Sequence, residues 1–583
     1  MTIKKYATGH YFLLIIIISL ITKACNSGER EFTRIPADLL YDKIKGGLTG
    51  QMLGNLNGLP YEFKFVDEPG NVENYRPGLP DGARTDDDTD IEWVTICKMQ
   101  ETGKLFLESN EIVSAWKDHI NFKIWASNLT ARQLMELGFK PNETGNAVLN
   151  PWAEVNLAGQ FCCESFALAA PAMPYAAEKI GLYYTRVVID GEPAQAAQFF
   201  SAMISEAFKT DDLEQILSSG IDALDEKSET YRAVGDVLKW CDAYPDDWKE
   251  TRRKIKEKYH TAGGKLPINN SGVNLSAILA AYIYGDGDFT GSLQLAFNMG
   301  WDADCNAATL GTILGVIKGY RWMEKQGWEI RDRYWNTTRP GMPEDETISG
   351  YTQRIFDMAE INIVQNGGRV KSGLWGKQFH IPYRPSESLH SPLDYDGKYG
   401  ALLEKYSAYI TETFGNETAT PDELAKAGYL AVVFNMYDSL QFSNPGNYQR
   451  FLDAMHELPM VMHTFFRLPD FIASGLKSRM AEAGLREVEM EPQLKGNTEF
   501  LLRGYEEADR VFVGGTFNNW EAWMTPLKRT SEGWLCRLDL GHGEYAYKFV
   551  VQEGENSTWV FDPDNPRREM NHEGYENSVL LVD

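Results

Sequence analysis

Two runs of carboxylates stand out by type and spacing. Arg84-Thr85-Asp86-Asp87-Asp88-Thr89-Asp90 precedes an apolar stretch from Ile91 to Met99, and Gly300-Trp301-Asp302-Ala303-Asp304-Cys305-Asn306 precedes a second one. A single Asp caps a helix start and favours its dipole. Three or four adjacent acids repel one another and exceed what a cap needs. An Asp where a helix enters an apolar context is costly unless a cation or donors compensate it. Two clusters of hard oxygen donors, without His or Cys pairs, suit Mg2+ or Mn2+ over zinc. Each run alone also fits a capped, solvated helix start; their pairing points to a metal centre.

The elements that must position these acids carry their own signal. Gly46, Gly50, Gly54 and Gly58 recur every four residues, as do Gly311, Gly315 and Gly319. Each Gly costs a helix about 1 kcal/mol relative to Ala, so close helix–helix packing is the compensating gain expected. Residues 35–370 read as helices. Leu275, Ile278, Leu279 and Tyr282 stand on one helical face, and Ala196 to Phe208 is similar. Residues 374–395, rich in Pro, Gly and Ser, read as a connector. Helical texture resumes over 396–490, where Thr420-Pro421-Asp422-Glu423 is a capping box. From 495 onward, short β-type runs (Val511-Phe512-Val513, Trp534 to Leu540, Tyr545 to Val551, Val579 to Val582) predict a compact all-β module. Gln160 and Glu164 around Cys162-Cys163, and Asn269-Asn270, are further pocket candidates, although capping and helix polarity also explain them. His456-Glu457 with His463 lacks zincin spacing, and no G-x-S-x-G, P-loop or H-E-x-x-H occurs.

The chain of 583 residues predicts several domain-sized units or one large body with appendages. Lys plus Arg is 57 against 83 Asp plus Glu, a net charge of −26 that repels phosphate backbones and argues against nucleic acid as a partner. Seven Cys are too few for a disulfide scaffold, and the lack of a C-x-x-C pair argues against a thiolate zinc site. Residues 1–25 read as a secretory signal, with Lys4-Lys5 before an apolar run from Tyr11 to Ile21. That run is too short to span a bilayer. Its end, Thr22-Lys23-Ala24-Cys25, resembles a bacterial lipoprotein signal in which Cys25 is lipidated. The expectation is a lipid-anchored protein of the bacterial cell envelope; simple secretion is the alternative.

The segment Gly46 to Phe63, ending Gly58-Leu59-Pro60-Tyr61-Glu62-Phe63, together with the two acidic runs, resembles the ADP-ribosylglycohydrolase family over residues 35–370. The resemblance implies an all-α catalytic fold with a dinuclear magnesium centre. It implies two Mg2+ ions, with Mn2+ possible, held by Asp86, Asp87, Asp88, Asp302 and Asp304. Glu62 stands beside them as a switchable ligand or acid/base, and Glu62, Asp87 and Asp302 are the catalytic candidates. The metals would bind the vicinal hydroxyls of a pentose, and a carboxylate would activate water. This chain departs from the family pattern at Asn55, where Asp is usual, at Cys305, in the place of Thr, and at Asp86, which takes the place of a first Thr if Asp87-Asp88-Thr89 is aligned with the following helix (in the other register Thr85 fills it). A thiol is a softer ligand, poorer for Mg2+.

Residues 495–583 resemble carbohydrate-binding module family 48, whose members include the glycogen-binding module of AMP-activated protein kinase. The resemblance rests on Val511 to Trp520, Gly543 to Val550, Trp559-Val560-Phe561-Asp562-Pro563 and Glu576 to Val579. It implies an immunoglobulin-like β-sandwich, with Trp520, Trp559, Lys548 and Asn577 contacting an α-glucan or other glycan. A merely bracing module is the alternative. The expected architecture is thus multidomain: signal (1–25), helical catalytic domain (35–370), connector and helical region of unknown role (371–492), and β-sandwich (495–583). The expected function is magnesium-dependent hydrolysis of a glycosidic bond to ADP-ribose or a related ribosyl group. One alternative is a cell-envelope glycoside hydrolase acting on a carbohydrate; another is a non-catalytic surface glycan-binding protein.

Overall fold

The computed structural model describes residues 31–261, 266–373, 376–554, 556–570 and 576–582. Cys25 and the signal-type segment lie outside the described residues. The chain divides into two compact units. One runs to residue 447 and adds 468–476; the other comprises 448–467 and 477–583. The segment 371–492 is therefore shared between them. No helix among the described residues is long and apolar enough to cross a membrane.

The first unit is built on one antiparallel helix pair, Ala37–Gly58 against Ala303–Lys318, the most extensive contact between any two elements. The glycine spacing is its cause. A methyl group on Gly50 would lie 2.0 Å from the Gly311 carbonyl oxygen, and one on Gly46 2.4 Å from that of Gly315. One on Gly54 would lie 2.1 Å from the Ala307 oxygen, and one on Gly58 2.5 Å from the Asp304 Cα. No side chain fits between these backbones, so glycine is required on the contact face. The predicted face of Leu275, Ile278, Leu279 and Tyr282 lies on helix Ser271–Gly285 and is fully buried. The Ala196–Phe208 pattern belongs to helix Gly191–Glu206, which packs on helix Pro174–Thr185.

Two short sheets accompany the helices. Gly376–Pro382 pairs antiparallel with both Phe32–Pro36 and Arg369–Gly373. The expectation of a plain connector over 374–395 is corrected here. Phe379 and Ile381 alternate inward and are fully buried, a pattern masked by flanking Gly, Pro and Ser. Ala83–Arg84, Tyr334–Trp335 and Asp345–Glu346 form a second small sheet immediately before the first acidic run. The capping box at Thr420 forms as expected, with Thr420 and Glu423 exchanging side chain-to-backbone hydrogen bonds.

The second unit carries two antiparallel sheets. Thr498–Leu502, Gly533–Leu538 and Lys528–Thr530 form one. The other centres on the long strand Gly543–Glu553, flanked by Arg510–Gly515, Asn556–Val560 and Glu576–Val582. Alternation decides the faces. Tyr547, Phe549 and Val551 point into a core with Phe500, Leu502, Val513 and Trp534, and Ala546, Lys548 and Val550 point away. His463 stacks on Trp523 with ring centroids 3.7 Å apart and bonds Glu487 at 2.7 Å, a packing role in keeping with its lack of zincin spacing.

One buried acid away from the acidic runs gives a stability prediction. Glu178, on helix Pro174–Thr185, is fully buried. Burial pushes its carboxyl up to about 9, and both of its carboxylate oxygens are buried without a hydrogen-bond partner. Between the unfolded value near 4.5 and about 9, the native state holds a proton that the unfolded chain has lost. The contribution is complete below the unfolded value and falls by about 1.4 kcal/mol per pH unit as pH rises toward the folded one. Glu178→Gln is expected to flatten this slope, compared by urea denaturation at about pH 5.5 and about pH 8. An identical slope in the variant would contradict the assignment.

Candidate functional site

The glycine zipper determines where the acids meet. Because Gly58 lies against Asp304, the end of the first helix stands beside the start of the second. The turn Leu59–Tyr61 then leads directly to Glu62. The opposite wall is helix Asp87–Thr102, whose first turn carries Asp87, Asp88 and Asp90.

Two overlapping donor groups result. Ligand atoms of Asp88, Asp304 and Cys305 lie within 4.8 Å of one another, and so do those of Glu62, Asp302 and Asp304. Asp304 is common to both. Asp88, Asp302, Asp304 and Cys305 are buried, and Glu62 is exposed. Cys305 Sγ donates to Asp88 Oδ1 at 2.8 Å. Asn55 Nδ2 donates to Asp88 Oδ2 at 2.7 Å and to Asp86 Oδ1 at 3.3 Å. The buried Oδ1 atoms of Asp302, Asp304 and Asn55 have no hydrogen-bond partner. Asp86, paired with Arg84 at 3.0 Å, and the partly exposed Asp87 stand beside these groups, outside both triads.

The electrostatics match a cluster awaiting positive charge. Burial first, then neighbouring carboxylates, pushes Asp88 and Asp304 well above the usual carboxylate range. Burial raises Asp302 to about 6. The Cys305 thiol is pushed up by burial and by Asp302 and Asp88. A bound divalent cation would replace the protons these groups otherwise hold.

A second layer orients the first. Asn274 Oδ1 accepts from the Asp302 backbone N–H at 3.2 Å and from Asn306 Nδ2 at 2.9 Å, and Gln160 Nε2 donates to Asn306 Oδ1 at 3.2 Å. Glu92 accepts from Gln51 at 3.0 Å and from the Ser165 N–H at 2.9 Å. Glu164 accepts from Thr309 at 2.7 Å, and burial lifts its carboxyl to about 8. Of the pocket candidates, Gln160 and Glu164 thus support the acids. Asn270 caps helix Ser271–Gly285 through Val273, and Asn269 accepts from Leu157. Arg339 forms a fully buried ion pair with Asp90 at 2.6 Å.

The turn before Asp302 is held by Arg252, which composition alone did not single out. Gly300 and Trp301 are both left-handed, with φ of 78° and 56°, and a methyl on Gly300 would lie 1.8 Å from the Phe65 oxygen. The buried Arg252 guanidinium donates to the carbonyls of Met299 and Phe65, both at 2.8 Å, and lies 4.5 Å from the Trp301 ring centroid. Trp301 in turn donates to His260 at 2.9 Å. This clamp ties the loop after Glu62 to the turn before Asp302. One sequence signal was available for the second layer. Gln51/Asn55, Asp88/Glu92, Asp302/Asn306 and Cys305/Thr309 are polar i, i+4 pairs on helices that are otherwise buried.

The β-sandwich presents a separate platform on its outer face. Trp559 lies across Gly514, where a methyl group would meet the indole at 2.8 Å. Trp520 follows a left-handed Asn519, is itself left-handed at φ 62°, and its ring centroid is 6.0 Å from that of Trp559. Lys548 sits 4.9 Å over the Phe561 ring. Trp559 is 46% exposed, Trp520 and Lys548 are partly buried, and Asn577 is buried. Tyr547 pairs with Ser578, so Asn577 and Lys548 flank that pair on adjacent strands.

The helical body with its two convergent acidic helix starts is that of a glycosyl-bond hydrolase, and the same chain carries a β-sandwich with an aromatic platform. Residues 36–357 match the family model described as ADP-ribosylglycohydrolase, more than half of the chain, and the chain belongs to that family. Residues 499–583 match the model described as the glycogen recognition site of AMP-activated protein kinase. The chain is 30% identical over 122 residues to 5'-AMP-activated protein kinase subunit beta-2 of Homo sapiens, which covers 21% of this chain and 41% of that one. It is 39% identical over 56 residues to the beta-1 subunit of Sus scrofa, 10% of this chain and 41% of that one. The chain thus spans less than half the length of these curated relatives. A solved structure described as "ADP-ribosylglycohydrolase-related protein complex" aligns with 56% of this chain and 99% of its own, at 15% identity and a TM-score of 0.37.

Proposed function

We propose that the helical unit hydrolyses a glycosidic bond to ADP-ribose or a related ribosyl group, at a centre of two divalent cations. The observation that carries this reading is the pair of donor groups sharing Asp304, with buried Oδ1 atoms on Asp302 and Asp304 left without partners. Glu62, Asp302 and Asp304 would hold one cation, and Asp88, Asp304 and Cys305 the other. Asp86 stands beside both, and its bond from Asn55 aims it inward. Mg2+ and Mn2+ suit the all-oxygen group. Such cations, when bound, polarise sugar hydroxyls and acidify water.

The chain's own residues do the rest. Glu62, the exposed member, faces arriving solvent and is placed to take a proton from attacking water at a carboxylate oxygen. Asp87, partly exposed on the first helical turn, is placed to orient or protonate the leaving group. Asn274 and Arg252 keep Asp302 and the Glu62 loop in register, which is the orientation on which most of the rate depends.

A second reading, hydrolysis of a carbohydrate glycoside by the same residues, is favoured by the sandwich platform and the signal-type N-terminus. The test is product analysis of the purified chain. ADP-ribosylated peptides and a panel of oligosaccharides are incubated with Mg2+ or Mn2+, beside Asp302→Ala. Free ADP-ribose, absent with the variant, supports the first reading, and a released sugar, absent with the variant, the second. Silence from cation-loaded protein on both panels would overturn both.

The platform carries its own prediction. Stacking of a sugar ring on an exposed indole is worth about 1–2 kcal/mol. Trp559→Ala is expected to weaken binding of a soluble α-glucan by about tenfold or more, read by calorimetry. Unchanged affinity would assign the module a bracing role.

A further inference from the structure

The two donor groups differ in chemistry. The outer group, Glu62, Asp302 and Asp304, is all oxygen and opens to solvent at Glu62. The inner group, Asp88, Asp304 and Cys305, is 0%, 3% and 7% exposed and contains a sulfur. We infer that the inner subsite is a Zn2+ site and the outer one a Mg2+ or Mn2+ site, so that the centre is heterodinuclear with Asp304 shared. This rests on the reading of the acids as a dinuclear cation centre and goes beyond it in assigning a different ion to each half.

Three observations converge on the inner subsite. Cys305 Sγ already points at the cluster, donating to Asp88 Oδ1 at 2.8 Å, so its proton occupies a position a cation would take. The three donor atoms lie within 4.8 Å of one another, a span that closes around one tetrahedral ion. Zn–S near 2.3 Å and Zn–O near 2.0 Å place such donors about 3.5 Å apart. The third observation is the pair of unpartnered oxygens. Asp304 Oδ1 is buried without a partner, and so is Oδ1 of Asn55, whose amide bonds Asp86 and Asp88. Asn55 is a neutral group in the midst of acids. It leaves the inner group with two carboxylates and one thiolate, a set whose sulfur favours zinc, whereas Mg2+ demands near-octahedral oxygen and keeps its waters. A buried, sulfur-bearing pocket is the wrong place for Mg2+ and the right one for Zn2+. On binding, the thiol S–H bond breaks, its proton leaves to solvent, and the sulfur lone pair forms the S–Zn bond.

The test uses the full chain, stripped with a chelator and titrated with Co2+ as a spectroscopic substitute for Zn2+. The expected result is a thiolate-to-cobalt charge-transfer band that saturates at one Co2+ per chain and is displaced by Zn2+ but not by Mg2+. Cys305→Ser should abolish the band. It should also lower Zn2+ affinity beyond the about 10–100-fold cost of losing a supporting contact, while Mg2+ affinity holds. Glu62→Gln, whose carboxylate belongs only to the outer group, should leave the band intact. If the native chain binds Co2+ without that band, or if Cys305→Ser keeps its Zn2+ affinity, the inference fails while a dinuclear cation centre stands. If no divalent cation binds the native chain at all, the underlying reading fails with it. The band in the native chain decides the matter even if Cys305→Ser does not fold.

Discussion

Asp304→Asn is expected to lower kcat/KM by about 1,000-fold or more and to remove both cations, yet to raise the melting temperature of the cation-free protein. Asp304 is the residue shared by the two donor groups, so its loss leaves neither group complete. Losing several kcal/mol of transition-state stabilisation from a polarising cation corresponds to about three orders of magnitude. The opposite sign on stability follows from burial. Asp304 is 3% exposed, its Oδ1 has no partner, and the Asp88, Asp302 and Glu62 carboxylates all face it. An amide of equal size is neutral without the proton that Asp304 must take up to enter this pocket. Relief of a buried, uncompensated carboxylate is worth about 1–3 kcal/mol. Calorimetric melting with and without a chelator, beside cation stoichiometry and turnover, reads all three quantities. Retention of two cations, or activity within tenfold of the parent, would refute the shared role.

Gly50→Leu should destabilise the helical unit by about 4 kcal/mol or more and empty the cation centre, although Gly50 lies about 12 Å along its helix from Gly58. A methyl group alone would stand 2.0 Å from the Gly311 carbonyl oxygen, and one on Gly311 2.2 Å from that of Gly50. Alanine at 50 gains about 1 kcal/mol of helix propensity, and the forced separation of two backbones outweighs it, since overpacking costs about 1–3 kcal/mol per site. A larger side chain cannot be absorbed by flexible neighbours, because its obstacle is main chain. Spreading the pair moves Asp302 and Asp304, on the second helix start, away from Asp88 and Glu62. Urea denaturation and cation titration of Gly50→Ala and Gly50→Leu test the gradation. A Gly50→Leu variant within about 1 kcal/mol of the parent would show that the contact is not tight.

Much of this was legible in the residues alone, because it is written in local periods. Four-residue glycine spacing on two segments declares a close helix pair before any partner is known. The Thr420 box and the alternation of Tyr547, Phe549 and Val551 declare their elements for the same reason. Adjacent Asp residues announce a chemistry that capping does not need. The strand Gly376–Pro382 was hidden because its two inward residues sit among loop-type neighbours, and one of its two partners, Phe32–Pro36, lies far earlier in the chain.

What the tertiary structure decided is which of those acids meet. Asp88 and Cys305 touch across 217 positions, and Asn274 reaches Asp302 across 28. No local period records such meetings; the register of the glycine zipper sets them, through backbone contacts that only the paired helices possess. The same register carries Cys305 into the inner donor group, leaves Asp86 and Asp87 at its side, and makes Arg252 the clamp of a left-handed turn it neighbours only in space. Residue types determined the kind of chemistry; the packing of two helices determined its geometry and the difference between its two halves.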